Sequence, residues 1–179
     1  MRLRLLAVGV FGALLVACGE SADHSEAPVS AATPERVDDY VPARDFVGVD
    51  VCALVAGESV AKAANATLVS TETDVDTASC VYLVREGDAP YEVAVHVSLM
   101  GDAGSFVIGR NMASSTEPVA DLGDDAYVKK AVGSQQQVFV ERRDGLYVQV
   151  VAEKAEYAIA VARLFLAAIP PSSDEHAAP

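Results

Sequence analysis

The chain has 179 residues, of which 51% are hydrophobic and 6% aromatic, and its formal charge is −13. This apolar content excludes a chain that is disordered throughout. Acidic residues outnumber basic ones by 26 to 13, which argues against nucleic acid and anionic lipid headgroups as partners because phosphate binding needs a basic surface.

The N-terminus has the pattern of an export signal. Arg2 and Arg4 precede an uncharged apolar stretch over residues 5–16. Such a stretch is too short to cross a membrane as a mature helix and is typical of a secretory signal peptide. We therefore predict a signal peptide over residues 1–17, and its removal would take the formal charge to −15.

The residues Leu15, Val16, Ala17 and Cys18 resemble the lipobox of bacterial lipoproteins. The resemblance implies cleavage before Cys18, a diacylglyceryl thioether on its sulfur and an amino group that can be acylated, for example with palmitate. Several acyl chains anchor a protein stably where one does not. We expect a lipid-anchored protein of the cell envelope, on the outer face of the plasma membrane or on the outer membrane, facing the periplasm or exterior. The alternative is an ordinary signal peptide with an accidental cysteine.

Polar segments flank the expected domain. Residues 18–45 are rich in Ser, Ala, Pro, Glu and Asp and bury too little surface to offset the entropy of ordering, so we expect a flexible acidic tether. Pro170 and Pro171 end the last helix and leave residues 170–179 as a disordered tail. A single globular domain over residues 46–169 is expected between them.

Hydrophobic periodicity and turn residues predict the elements of this domain. The first helix has Asp50 as its N-cap and an interruption at Gly57. The predicted order is helix 51–64, strands 68–73, 80–85 and 91–99, an irregular or helical stretch from after residue 100 to about 112, strands 126–131, 136–142 and 146–152, and helix 154–169.

Short connections between neighbouring strands favour antiparallel pairing. We therefore predict an α+β fold with a mainly antiparallel sheet of about five to six strands and helices packed on one face. The order also fits two αβββ halves plus a C-terminal helix, although no residue-level repeat accompanies it.

The last hairpin has two alternative registers. A two-residue turn would place charged residues beside the apolar ones of the final strand. A three-residue loop over 143–145, with Gly145 left-handed, puts Val138 and Val140 on one apolar face with Leu146 and Val148. We predict the three-residue loop.

The cysteines predict one disulfide. With Cys18 lipidated, Cys52 and Cys80 remain as a pair in an oxidising compartment. A reactive or metal-binding thiol is the alternative, but no second Cys or His lies at ligand spacing from either residue.

Short motifs along residues 49–169 resemble a family of secreted actinobacterial lipoproteins of unknown function. They are Cys52-Ala53-Leu54, Cys80 with Tyr82, Leu122-Gly123-Asp124, Ala126-Tyr127, the late hairpin and the Ala-rich closing helix. The resemblance implies a lipid-anchored, disulfide-stapled α+β module outside the cell, with no established catalytic residues.

Candidate chemistry is sparse. His96 lies on the wetter face of the third predicted strand, and a Ser-His-acid triad would have to be built around it, but no nucleophile elbow occurs. Asp121, Asp124 and Asp125 are candidate calcium ligands, although they do not match the twelve-residue calcium loop. We predict no metal and no cofactor.

The sequence favours a non-catalytic envelope lipoprotein that binds a protein partner or a small apolar ligand. Its membrane contact would come from the lipid on Cys18. Two other classes stay open: an envelope hydrolase or other enzyme that uses His96 or the Asp121 cluster, and a purely structural surface lipoprotein.

Overall fold

A computed structural model of the chain describes residues 44–113 and 115–172. Its elements are α1 (Val51–Leu54), α2 (Gly57–Ala63), β1 (Thr67–Asp74), β2 (Ser79–Arg85), β3 (Val93–Met100), α3 (Ala103–Asn111), β4 (Glu117–Pro118), β5 (Asp125–Lys130), β6 (Gln136–Arg142), β7 (Leu146–Ala152) and α4 (Ala155–Ala168). The predicted signal peptide, Cys18 and nearly all of the predicted tether and tail lie outside the described residues.

The strands form one antiparallel sheet in the order β1-β2-β3-β7-β6-β5-β4. It consists of two meanders, β1 to β3 and β4 to β7, which are joined where β3 pairs with β7. The predicted α+β class and antiparallel sheet are confirmed. The sheet has seven strands rather than five to six, because the two-residue β4 adds an edge strand at Pro118, a position where the missing N–H of proline is tolerated.

One face of the sheet carries an aliphatic core. Alternate residues of β2, β3, β6 and β7 point to this face, among them Val84, Val97, Val140 and Val148, all at 0% exposure. The helices α1, α2 and α4 cover them. In α4 the buried residues Ala158, Val161, Ala162 and Phe165 follow the spacing of one helical stripe.

Helix α3 lies on the opposite face, so the expectation of helices on one face holds for α1, α2 and α4 only. Tyr127, Phe139 and Tyr147 alternate with the aliphatic core residues of their strands and pack with Phe106 of α3. The Phe106 and Tyr127 ring centroids are 5.1 Å apart, and the Tyr127 hydroxyl donates to the Phe106 carbonyl at 2.7 Å. A Cβ at Gly109 would lie 2.7 Å from that hydroxyl, which shows how closely α3 approaches the sheet.

The last hairpin has the predicted three-residue loop. Arg142 pairs with Leu146 across it, the Gly145 N–H donates to the Arg142 carbonyl at 3.0 Å, and Gly145 has a φ of 80°. Val138 and Val140 therefore share the aliphatic face with Leu146, as the hydrophobic pattern required.

A terminal clamp, formed by Arg44, Arg142 and Asp144, holds both ends of the described chain against this hairpin. The Asp144 carboxylate accepts hydrogen bonds from Arg44 Nη1 at 2.9 Å, Arg142 Nη2 at 2.7 Å and the Ser172 N–H at 2.9 Å. Arg142 also donates to the Ile169 carbonyl at 2.7 Å, beyond the last turn of α4. Defined contacts thus extend past both predicted boundaries of the domain, residues 46 and 169.

The predicted disulfide between Cys52 and Cys80 is confirmed. It joins α1 to β2 with a Cα–Cα distance of 5.2 Å and a sequence separation of 28 residues. The short α1 is therefore fixed covalently to the sheet, in addition to its packing through the buried Val51.

Removing the disulfide should destabilise the domain, because the crosslink restricts the unfolded chain. For a loop of this length we expect the double variant Cys52→Ala/Cys80→Ala to lose about 3 to 4 kcal/mol in the free energy of unfolding, measured with urea. Reduction of the parent chain should give a similar loss and leave the variant unchanged. Equal unfolding curves for the parent and the double variant would contradict this prediction.

The terminal clamp should make stability depend on acid pH. Burial alone would raise the pKa of Asp144, but hydrogen bonds from Arg142 and the Ser172 N–H, together with the charges of Arg142 and Arg44, lower it from 3.8 to about 2. Because the folded-state value lies below the unfolded one, ionised Asp144 stabilises the fold above about pH 4, and this contribution is lost as the pH falls towards 2.

We expect Asp144→Asn to be less stable than the parent chain by about 2 kcal/mol near neutral pH and to converge with it in acid. Urea unfolding at a series of pH values measures both quantities. Asp88→Asn, which changes an exposed carboxylate, is the matched control and should follow the parent profile. A constant difference between Asp144→Asn and the parent across the acid range would refute the role of ionisation.

Candidate functional site

The candidate site is the part of the second sheet face that α3 does not cover. A row of side chains directly opposite one another crosses six strands there. In spatial order the row is Glu72, Val81, His96, Val151, Gln137 and Lys129. All of them lie on the side away from the aliphatic core, because successive side chains of a strand point to opposite faces.

Part of this face forms a concavity of about 600 Å³ that is open to solvent, which we call the open groove. Its floor comes from β3, β7 and β6, and its wall comes from the end of β5 and the turn that follows. The lining residues are Ala94, His96, Lys129, Lys130, Ala131, Val132, Gln135, Gln137 and Val151.

The charged lining of the open groove is basic. Lys129 and Lys130 lie in its wall, and no carboxylate is among its lining residues. The Lys129 ammonium donates to the Gly109 carbonyl at 3.3 Å and lies 4.9 Å from the centroid of the Phe139 ring. These contacts hold Lys129 beside the C-terminal end of α3, at one side of the groove.

His96 lines the groove floor, as its predicted place on the wetter face of β3 implies. Burial lowers the pKa of its imidazole below 6.5, so the ring is neutral near pH 7. Its Nε2 lies 3.4 Å from Ser98 Oγ. Within the described ranges no carboxylate hydrogen-bonds to His96, whereas a Ser-His nucleophile needs a third group that orients the base.

The candidate calcium ligands bind arginines. Asp124 forms an ion pair with Arg143 at 3.0 Å, and Asp125 forms one with Arg110 at 2.7 Å, while Asp121 is exposed. In the part of the chain that the structure describes, no three His, Cys, Asp or Glu side chains come close enough to hold a metal ion. Asp124 and Asp125 therefore bind the last hairpin and α3.

Comparison of the chain with protein-family models, curated proteins and solved structures gives no match. The resemblance to secreted actinobacterial lipoproteins stays a prediction from the sequence. Across residues 44–113 and 115–172, no helix is long and apolar enough to cross a membrane.

The groove contains residues that the sequence does not single out. Lys129 and Gln137 belong to two of the predicted strands, and their alternation with more buried residues places them on the wetter face. Their proximity to His96 depends on the strand order β3-β7-β6-β5, and hydrophobic periodicity within single strands does not predict this order.

The His96 ring should titrate below its ordinary range. NMR titration of the folded chain, with the ring signals assigned through His96→Gln, should give a pKa below 6.5 because burial disfavours the charged form. Because the unfolded chain then binds a proton at a higher pH than the folded chain, the free energy of unfolding should fall as the pH drops below about 6.5. This contribution to the pH dependence should be absent in His96→Gln. Titration in concentrated urea, expected near 6.5, is the control, and an equal value in the folded chain would contradict the prediction.

Proposed function

We propose that the protein is a lipid-anchored lipoprotein of the cell envelope and that its domain is a non-catalytic module that binds a protein partner in the open groove. The lipobox residues up to Cys18 support the anchor. The described domain supports the binding role through one observation: α3 covers only part of the second sheet face, and the uncovered part is concave.

The open shape of the groove favours a protein surface over a small apolar ligand. Apolar ligands bind in enclosed, mainly hydrophobic pockets that bury most of their surface. The open groove is exposed to solvent, and polar side chains such as Gln135, Gln137 and Lys130 line it together with Ala94 and Val151. Such an open surface would leave much of a small ligand exposed to water, so it suits a larger partner that also contacts the surrounding sheet.

The catalytic alternative has less support. Of the groups considered for it, His96 hydrogen-bonds to Ser98 within the described residues, and Asp124 and Asp125 are paired with arginines. A purely structural role would leave the groove without an occupant. The proposal predicts that a protein partner contacts Val151, whereas an enzymatic or a purely structural role does not require this contact.

The position of the groove suits a tethered module. The predicted tether enters the domain at Arg44, which the terminal clamp holds beside the end of β6. Gln137 of the groove lies at the other end of that strand, roughly 17 Å from Arg142 at the usual rise of a strand. The groove is therefore displaced from the point at which the tether would enter.

The binding role is tested by photo-crosslinking on the full chain in the envelope. A photo-reactive residue at Val151 should give a discrete adduct, and the same residue at the exposed Arg163 on α4 should not. Ala94→Trp, which fills the groove, should abolish the adduct at Val151. Recovery of bare protein from the Val151 position, or equal adducts at both positions, would contradict the proposal.

The anchor is tested by fractionating cells that express the Cys18→Ser variant. This change removes the proposed site of lipidation, so the protein should move from the membrane fraction to the soluble fraction while its disulfide-bonded domain stays folded. Continued retention in the membrane fraction would show that lipid on Cys18 is not the anchor.

A further inference from the structure

We propose that the open groove binds an acidic segment of its partner, in which Asp or Glu side chains contact Lys129 and Lys130. This inference rests on the proposed binding function and names the chemistry of the partner. Its basis is the charge distribution of the described chain.

Most basic side chains of the domain are already paired. Within residues 44–113 and 115–172, carboxylates lie within ion-pair distance of six cations: Arg44, Arg85, Arg110, Arg142, Arg143 and Lys154. Four basic residues have no such partner in these ranges, although the chain has an excess of acidic residues: Lys62, Lys129, Lys130 and Arg163. Lys62 and Arg163 lie apart on α2 and α4, whereas the other two lie together on β5. Of the four, Lys129 and Lys130 are the two that line the groove, and they are neighbours in sequence.

The two lysines of the groove are held in different ways. Lys129 is half-buried, and its ammonium is positioned by the Gly109 carbonyl and the Phe139 ring. A carbonyl and a ring face leave its positive charge uncompensated, so a carboxylate can bind it without displacing an ion pair. Lys130, the last residue of β5, is exposed at the groove rim, and because successive side chains of a strand alternate, Lys129 is the one that faces the groove directly.

The other residues that line the groove can contact the backbone and the uncharged side chains of a bound peptide. Gln135 and Gln137 can donate to carboxylates or to a peptide backbone, and His96 offers a neutral ring nitrogen. Val132, which is 91% exposed, and Val151 offer apolar contact. The groove crosses four strands, a distance of roughly 14 Å that four to five extended residues would span.

Repulsion by the rest of the chain adds specificity. A negatively charged protein disfavours contact with acidic segments over most of its surface, so such a segment is restricted to the place where local charge is positive. The same net charge disfavours long polyanions, whose phosphates would extend beyond the groove. A short acidic peptide satisfies both conditions.

The test uses the full chain with Cys18→Ser and two fluorescein-labelled peptides, one with two Glu on each side of a central Leu and one with Gln in place of every Glu. Fluorescence anisotropy at low salt should show binding of the Glu peptide, and the Gln peptide should bind about tenfold more weakly. Lys129→Gln/Lys130→Gln should lose about tenfold in affinity for the Glu peptide.

The matched control is Lys62→Gln/Arg163→Gln. It makes the same change in net charge at two exposed positions on α2 and α4, which pack on the other sheet face, and it should stay within about twofold of the parent chain. Lys130→Gln alone, which leaves the bond from Lys129 to Gly109 intact, should lose about threefold and excludes misfolding as the cause.

If the groove and control variants lost the same affinity for the Glu peptide, net charge alone would explain the loss, and the inference would be overturned. Equal binding of the two peptides, or no binding of the Glu peptide, would also overturn it. If the crosslink at Val151 persists in either case, the groove binds a partner that is not acidic, and the proposed function survives without this inference. If the crosslink is also absent, both fail.

Discussion

The pairing of β3 with β7 is the interaction on which the rest of the structure depends. Each meander alone offers only half a sheet, and their antiparallel contact makes one continuous surface. It sets Val97 opposite Val150 in the aliphatic core and His96 opposite Val151 on the other face. A single set of backbone hydrogen bonds therefore creates both the centre of the core and the floor of the groove, since neighbouring residues of a strand point to opposite faces.

The two faces are covered to different extents, and this difference creates the candidate site. The helices α1, α2 and α4 enclose an aliphatic face, and the disulfide between Cys52 and Cys80 fixes the first of them. On the second face, aromatic side chains of β5, β6 and β7 hold α3 at one end of the sheet. The uncovered end keeps side chains that are polar or small enough to face water without a helix over them.

Local features of the fold follow from the sequence with little ambiguity. The alternation along β3, the left-handed Gly145 in the last hairpin and the pairing of Cys52 with Cys80 each depend on residues whose geometry or chemistry admits few alternatives. The placement of α3 does not follow in this way, because only Phe106 and Gly109 are buried in it and so short a stripe does not specify which face it meets. Strand β4 is not predicted for a related reason: it has only two residues, one of them proline, in a segment rich in turn residues. The groove needs the order of distant strands, which periodicity does not encode.

A ligand meets different electrostatic interactions with this chain at long and at short range. At distances beyond a Debye length, roughly 8 Å at physiological ionic strength, an approaching polyanion meets an acidic protein and is repelled. At contact distance, pairing matters more, because the carboxylates that surround most arginines of the domain compensate them locally. Lys129 and Lys130 lack that compensation within the described chain, as Lys62 and Arg163 do on the other side of the sheet, and the charged residues that line the groove are basic although the protein as a whole is acidic. The overall charge therefore argues against nucleic acid while leaving room for a short acidic segment, since such a segment needs only these two cations and does not extend to the repulsive surface around them.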